Sequence, residues 1–141
     1  MADLTGLIRV RKHELEQKQK TIAELYRQAE ELAHQKTELL ETLDEEQEKL
    51  KDFGVEMLSY FGPYSEAVHE RVGDIDAATA KLETRIEIAR EDMRMAYAEF
   101  KKIEITHERR LEEEQDAEEK RDSMTMDDIA IENYRRQIND D

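Results

Sequence analysis

Phe61-Gly62-Pro63-Tyr64 lies close to the middle of the 141 residues and separates two hydrophobic series that do not share a phase. Upstream of it, counting in sevens from Ile8 reaches Leu15, Ile22, Ala29, Lys36, Leu43, Leu50, Met57 and Tyr64. The companion places are Arg11, Lys18, Leu25, Leu32, Leu39, Glu46, Phe53, Tyr60 and Ala67, and fourteen of the eighteen are apolar. A period of 3.5 is what a coiled-coil seam needs to keep facing its partner. Downstream, nine of the ten places Val72, Ile75, Thr79, Leu82, Ile86, Ala89, Met93, Ala96, Phe100 and Ile103 are apolar. One uninterrupted helix cannot hold both series on one face. A break is required, and Gly62-Pro63 is the best placed. Proline is tolerated in the first turn of a helix, where its missing N–H is unsatisfied anyway, so Pro63 reads as a helix start.

The expectation is therefore an all-α fold, a long antiparallel two-helix coiled-coil hairpin forming a single domain over residues 1–141. Helix one is expected over about 3–61, the turn at 62–63 and helix two over about 64–122, each helix about 90 Å long at roughly 1.5 Å per residue. Gly54 and Gly73 each weaken a helix by about 1 kcal/mol relative to Ala, so 54–73 is expected to be loose. Folding about Gly62-Pro63 places residue i opposite a residue near 127 minus i. Residues 1–20, with a net charge of +2, would then face residues 108–120, with a net charge of -4. Exposed ion pairs are worth little individually, so such a match sets register more than stability.

Toward the termini the seam turns polar, with Arg11, Lys18, His107, Arg110, Glu114 and Arg121 at inward places. The open end is expected to pack loosely. Beyond it, Ile131, Tyr134 and Ile138 share a face beside Arg135-Arg136, and Ser123 or Thr125 offers a cap for a fresh helix start. A kinked or frayed segment over 123–141 and a straight continuation both remain open.

Composition narrows the function. The chain has 22 Lys+Arg against 37 Asp+Glu, a net charge of -15, with 42% charged and 38% hydrophobic residues and no Cys or Trp. Disulfide scaffolds and thiolate metal sites are excluded. No apolar run exceeds the four residues Met95–Ala98, and a membrane span needs roughly 20, so a soluble, cytosolic protein without direct membrane insertion is expected. A net-negative surface gains nothing from counterion release at phosphates, which argues against nucleic acid as a partner.

Two Glu-x-x-His matches, Glu66–His69 and Glu104–His107, have the spacing of di-iron bundle ligands. On one continuous helix they would stand roughly 57 Å apart, too far for one site. In a chain this rich in Glu such matches arise by chance, so no metal or other cofactor is expected. No phosphate-binding loop or nucleophile elbow is present, and a two-layer hairpin offers no pocket in which to shift a carboxylate's pKa, so an enzyme is not expected. Phe53, Tyr60, Phe61 and Tyr64 cluster at the break. Three of them are expected to fill the seam, with Phe61 off it as a partner contact, and Phe61 and Tyr64 are the candidates at the hairpin tip.

The order Leu7-Ile8-Arg9-Val10-Arg11-Lys12, a central break, Phe100-Lys101-Lys102-Ile103-Glu104, a Glu- and Arg-rich stretch, Asp127-Asp128-Ile129-Ala130 and Arg135-Arg136 resembles the FliJ family of flagellar type III export proteins. The resemblance implies a non-enzymatic stalk similar to the central shaft of rotary ATPases. Its terminal end would enter the pore of the hexameric export ATPase and promote ring assembly and turnover, while the rest of the rod would touch the membrane export gate and handle export chaperones. The implied place is the cytoplasmic face of the flagellar basal body. Ile8, Arg9, Arg11, Lys12, Ile131, Tyr134 and Arg135 are the candidates for the ATPase contact. The competing readings are a generic antiparallel scaffold or adaptor, including a phage assembly protein, the stalk of a virulence-type secretion ATPase, and a metal-binding bundle formed by oligomerisation.

Overall fold

The computed structural model describes residues 3–140, and among them there are two long helices and no strand. Helix α1 spans Thr5–Leu50, a single 3-10 turn spans Val55–Met57, and helix α2 spans Leu58–Asp140. The chain is an all-α two-helix hairpin. Its contacts divide it into two compact units, one made of His13–Tyr97 and the other of the residues up to Lys12 together with those from Ala98 onward.

In the unit His13–Tyr97 the two helices run antiparallel. Ile22, Leu25, Leu82, Ile86 and Ala89 form a buried cluster, against which Ala29, Leu32 and Met93 pack. Leu25 and Leu82 are only 5% exposed, and burying a leucine side chain fully is worth about 1.5–3 kcal/mol. Inward positions follow the heptads from Leu15 to Leu50 in α1, Lys18 alone being exposed, and from Val72 to Ala96 in α2. Lys36 occupies a seam place but sends its ammonium outward to Asp76 Oδ1 at 2.8 Å. A seam lysine can thus bury its stem while its charge stays wet.

The turn is not at Gly62-Pro63. α1 ends at Leu50, where Lys51, Asp52 and Phe53 donate N–H bonds back to the carbonyls of Glu48, Lys49 and Leu50 at 3.2, 3.1 and 3.2 Å. Such i to i−3 bonds tighten a last turn and satisfy carbonyls that the helix leaves open. Gly54 is extended, at φ −73° and ψ 177°, and leads into the 3-10 turn. Gly62 and Pro63 lie inside α2. Pro63 is close enough to the helix start that it forfeits a single bond, the one to the Ser59 carbonyl. The reason for the early start is register. Phe61, Ser65 and Val68 continue the α2 series backward from Val72 and Ile75, and they are buried or half-buried. Phe53, Met57, Tyr60, Tyr64 and Ala67, which continue the α1 series, are exposed.

Moving the turn moves the pairing. Lys36 meets Asp76 and Tyr26 meets Arg90, so paired numbers add to 112 and 116 instead of 127. The expected match of residues 1–20 with residues 108–120 does not form as a whole. In the second unit the Asp3 carboxyl feels the His107 imidazole, and inward burial on α2 ends at Arg110. Every described residue from Leu111 onward is exposed, including the expected seam places Glu114 and Arg121. Helix α2 continues unbroken through Ser123 and Thr125, so neither caps a new helix.

Candidate functional site

In two regions, each within one unit, exposed apolar or basic residues cluster with no covering element among the described residues. The first is the open end. Asp3 caps α1: its Oδ1 accepts the Thr5 N–H at 3.0 Å and the Thr5 hydroxyl at 2.5 Å, which holds the Asp3 carboxyl below its ordinary range. The first turns of α1 then place Ile8 and Arg11 half-buried, while Leu7, Arg9, Val10 and Lys12 are exposed. On α2, Phe100, Ile103, Glu104, His107 and Arg110 are half-buried. Lys101 donates to Glu104 Oε1 at 2.8 Å and stands 5.7 Å from the Phe100 ring centroid. The double lysine of this stretch is therefore divided in role, Lys101 held within the helix surface and Lys102 exposed.

Beyond Arg110, α2 is a lone helix among the described residues. Leu111–Asp140 spans about 45 Å at 1.5 Å per residue. It holds eleven carboxylates against four basic side chains. Met124, Ile131, Tyr134 and Ile138 fall on one stripe at helical spacing, while Met126 and Ile129 fall on the opposite side. All six are more than half exposed. A helix with apolar residues on opposite sides is suited to being surrounded, whereas a single apolar stripe suits lying on one surface.

The residues proposed for one contact are thus split into two patches. Ile8, Arg9, Arg11 and Lys12 sit beside the end of the paired region, whereas Ile131, Tyr134 and Arg135 lie farther along the lone helix. From His107 to Ile131 is about 36 Å of helix.

The second region is the turn end, in the unit His13–Tyr97. Phe53, Val55, Met57, Leu58, Tyr60 and Tyr64 are exposed, Val55 by 81% and Tyr60 by 75%. Phe61, expected to point outward, is half-buried, and its ring lies 6.4 Å from that of Tyr64 at 50°. Both rings, with Glu46, Leu50, Met57 and Tyr60, line a cavity of about 250 Å³. This slot was not apparent in the linear pattern, because Glu46 and Leu50 approach the aromatics only across the turn.

Among the described residues no group of three or more His, Cys, Asp or Glu side chains is placed to hold a metal ion. Both Glu-x-x-His copies lie on α2. No described helix is long and apolar enough to cross a membrane. One further polar contact joins the helices: Arg90 Nε donates to the Tyr26 hydroxyl at 2.7 Å, with a second bond from its Nη2. Nothing in the heptads pointed to this pair, since both residues flank the seam.

Comparison with protein families matches residues 1–139 to the family described as "FliJ: Flagellar FliJ protein". The chain belongs to the FliJ family. FliJ membership assigns it a role related to flagellar protein export and an association with the flagellar export apparatus. It also separates the flagellar reading from that of a generic scaffold, since the match covers residues 1–139. Neither a curated protein nor a solved structure matches the chain.

Proposed function

We propose that the protein is a non-enzymatic stalk of the export apparatus, whose open end enters the hexameric export ATPase and promotes ring assembly and turnover. The observation that supports this reading most is the lone helix Leu111–Asp140, which has apolar residues on opposite sides and no covering element among the described residues. A helix is about 10–12 Å across with its side chains, a size suited to the pore of a protein ring. Ile131, Tyr134 and Arg135 would line that contact inside the pore. Ile8, Arg9, Arg11 and Lys12 would meet the rim, where the paired region begins. The remaining surface, including Phe61 and Tyr64 at the turn end, is assigned to the membrane export gate and to export chaperones. The place of work is the cytoplasmic face of the flagellar basal body.

The test is ATP hydrolysis by the cognate flagellar ATPase with and without the stalk. Charge reversal at Arg9, Arg11 and Lys12, and separately Ile131→Ser with Tyr134→Ser, should each reduce the stimulation. If both variants stimulate as well as the parent chain while retaining its helix content, the ATPase contact is elsewhere.

A further inference from the structure

Exposed apolar side chains cluster at the turn end. Phe53, Val55, Leu58 and Tyr60 are each more than half exposed, and aromatic side chains alone offer about 150–250 Å² apiece when fully covered. Large contiguous patches of this kind mark interaction sites. Scattered single residues would not.

Charge indicates what covers it. From Asp44 to Glu70 there are eight carboxylates and two lysines. Those two lysines already face carboxylates three residues upstream, Lys51 with Glu48 at 3.0 Å and Lys49 with Glu46 at 3.7 Å. A second copy of this chain would bring an equally acidic collar against the first. Like charges at an interface oppose docking, so a tip-to-tip dimer is disfavoured. The slot is lined by Leu50, Met57, Tyr60, Phe61 and Tyr64, with the half-buried Glu46 carboxylate as its one acidic group. Apolar and aromatic walls with a single carboxylate match an arginine or lysine side chain, whose stem is apolar and whose head is cationic.

We propose that the turn end is a docking site for a basic, apolar segment of a partner protein, with one arginine or lysine seated in the slot against Glu46 and neighbouring basic residues facing the acidic collar. On binding, Lys49 yields its 3.7 Å contact with Glu46 to the incoming cation. The inference rests on the reading that the turn end meets a partner, and it is independent of the ATPase contact at the other end of α1.

The probe is the peptide acetyl-Leu-Arg-Leu-Arg-Leu-amide, compared with the same peptide carrying citrulline in place of arginine. Both are titrated into the intact chain by calorimetry and by amide NMR shifts. The arginine peptide should bind about tenfold more tightly than its neutral counterpart, as charge-assisted hydrogen bonds outweigh neutral ones. Its shifts should centre on residues 46–64. Glu46→Gln and Tyr60→Ser should each weaken binding about fivefold, whereas Glu112→Gln with Glu113→Gln, on the lone helix, should change it by less than about twofold. Equal binding of the citrulline peptide, or shifts spread evenly over the acidic faces, would overturn the proposal. So would a concentration-dependent doubling of mass that Tyr60→Ser abolishes, because a second copy would then cover the patch. Motility of cells carrying Tyr60→Ser separates the two levels. If motility falls but the peptide does not bind, the turn end meets a partner of other chemistry. If motility is unchanged as well, the turn end is not a partner site.

Discussion

Replacing Leu82 and Leu111 by alanine, one at a time, asks whether α2 changes from a packed helix to a lone one at Arg110. Leu82 is 5% exposed and belongs to the cluster with Ile22, Leu25, Ile86 and Ala89, whereas Leu111 is 51% exposed. Truncating a buried leucine removes its transfer free energy and leaves a cavity, which in well-packed cores costs about 2.7–5 kcal/mol. A two-layer seam can close part of the gap, so the low end applies, about 2.7 kcal/mol for Leu82→Ala. Leu111→Ala loses little burial and gains slightly in helix propensity, so its cost should stay below about 0.5 kcal/mol. Urea unfolding followed by circular dichroism measures both, with the midpoint recorded at two protein concentrations. A cost above about 1 kcal/mol for Leu111→Ala would mean that this helix end is covered, most simply by another copy, and the lone-helix reasoning would fail.

Gly73 is an exposed position of α2, where an added Cβ would meet nothing within 4 Å. Gly73→Ala should therefore stabilise the chain by about 1 kcal/mol, seen as a higher urea midpoint. The Lys36–Asp76 pair is partly exposed, at 40% and 55%, so a double-mutant cycle with Lys36→Met and Asp76→Asn should give a coupling of only about 0.5 kcal/mol that shrinks in salt. The Glu24 carboxyl is held down to about 2 by hydrogen bonds from Arg27 and then Gln28, and its ordinary value is 4.5. Because the folded value is the lower one, its contribution is present above pH 4.5 and is lost as pH falls toward 2. Thermal melts of the parent and of Glu24→Gln should accordingly differ near neutrality and converge at the acid end of that window. A constant gap would refute the assignment.

Much of the fold is legible in the linear pattern, because a seam is a local property. Ile22, Leu25, Leu82, Ile86 and Ala89 announce themselves by spacing, and a helix in water must bury whichever stripe is apolar. The position of the turn is different. Between Met57 and Val68 two frames overlap: Met57, Tyr60, Tyr64 and Ala67 continue one helix, while Phe61, Ser65 and Val68 begin the other. Gly62-Pro63 favours the first frame locally. The packed structure takes the second, because starting α2 at Leu58 lets Phe61 and Val68 join the seam for the loss of one backbone bond at Pro63.

That shift of the turn decided the candidate site. Composition, heptads and the resemblance to flagellar export proteins were sufficient for a charged two-helix hairpin with basic and apolar residues near its ends. Ile131, Tyr134 and Arg135 could be named from the chain alone, and so could the aromatics of the turn. What the chain alone could not place was how far α1 reaches along α2. A turn about ten residues earlier shortens α1, so pairing stops at Arg110 and Leu111–Asp140 stands uncovered. The same shift turns Phe61 inward and Tyr60 outward and brings Glu46 to the aromatic slot. Heptad spacing specifies which face of each helix is buried, but only the balance of packing across the turn sets the register between them, and both exposed regions follow from that register.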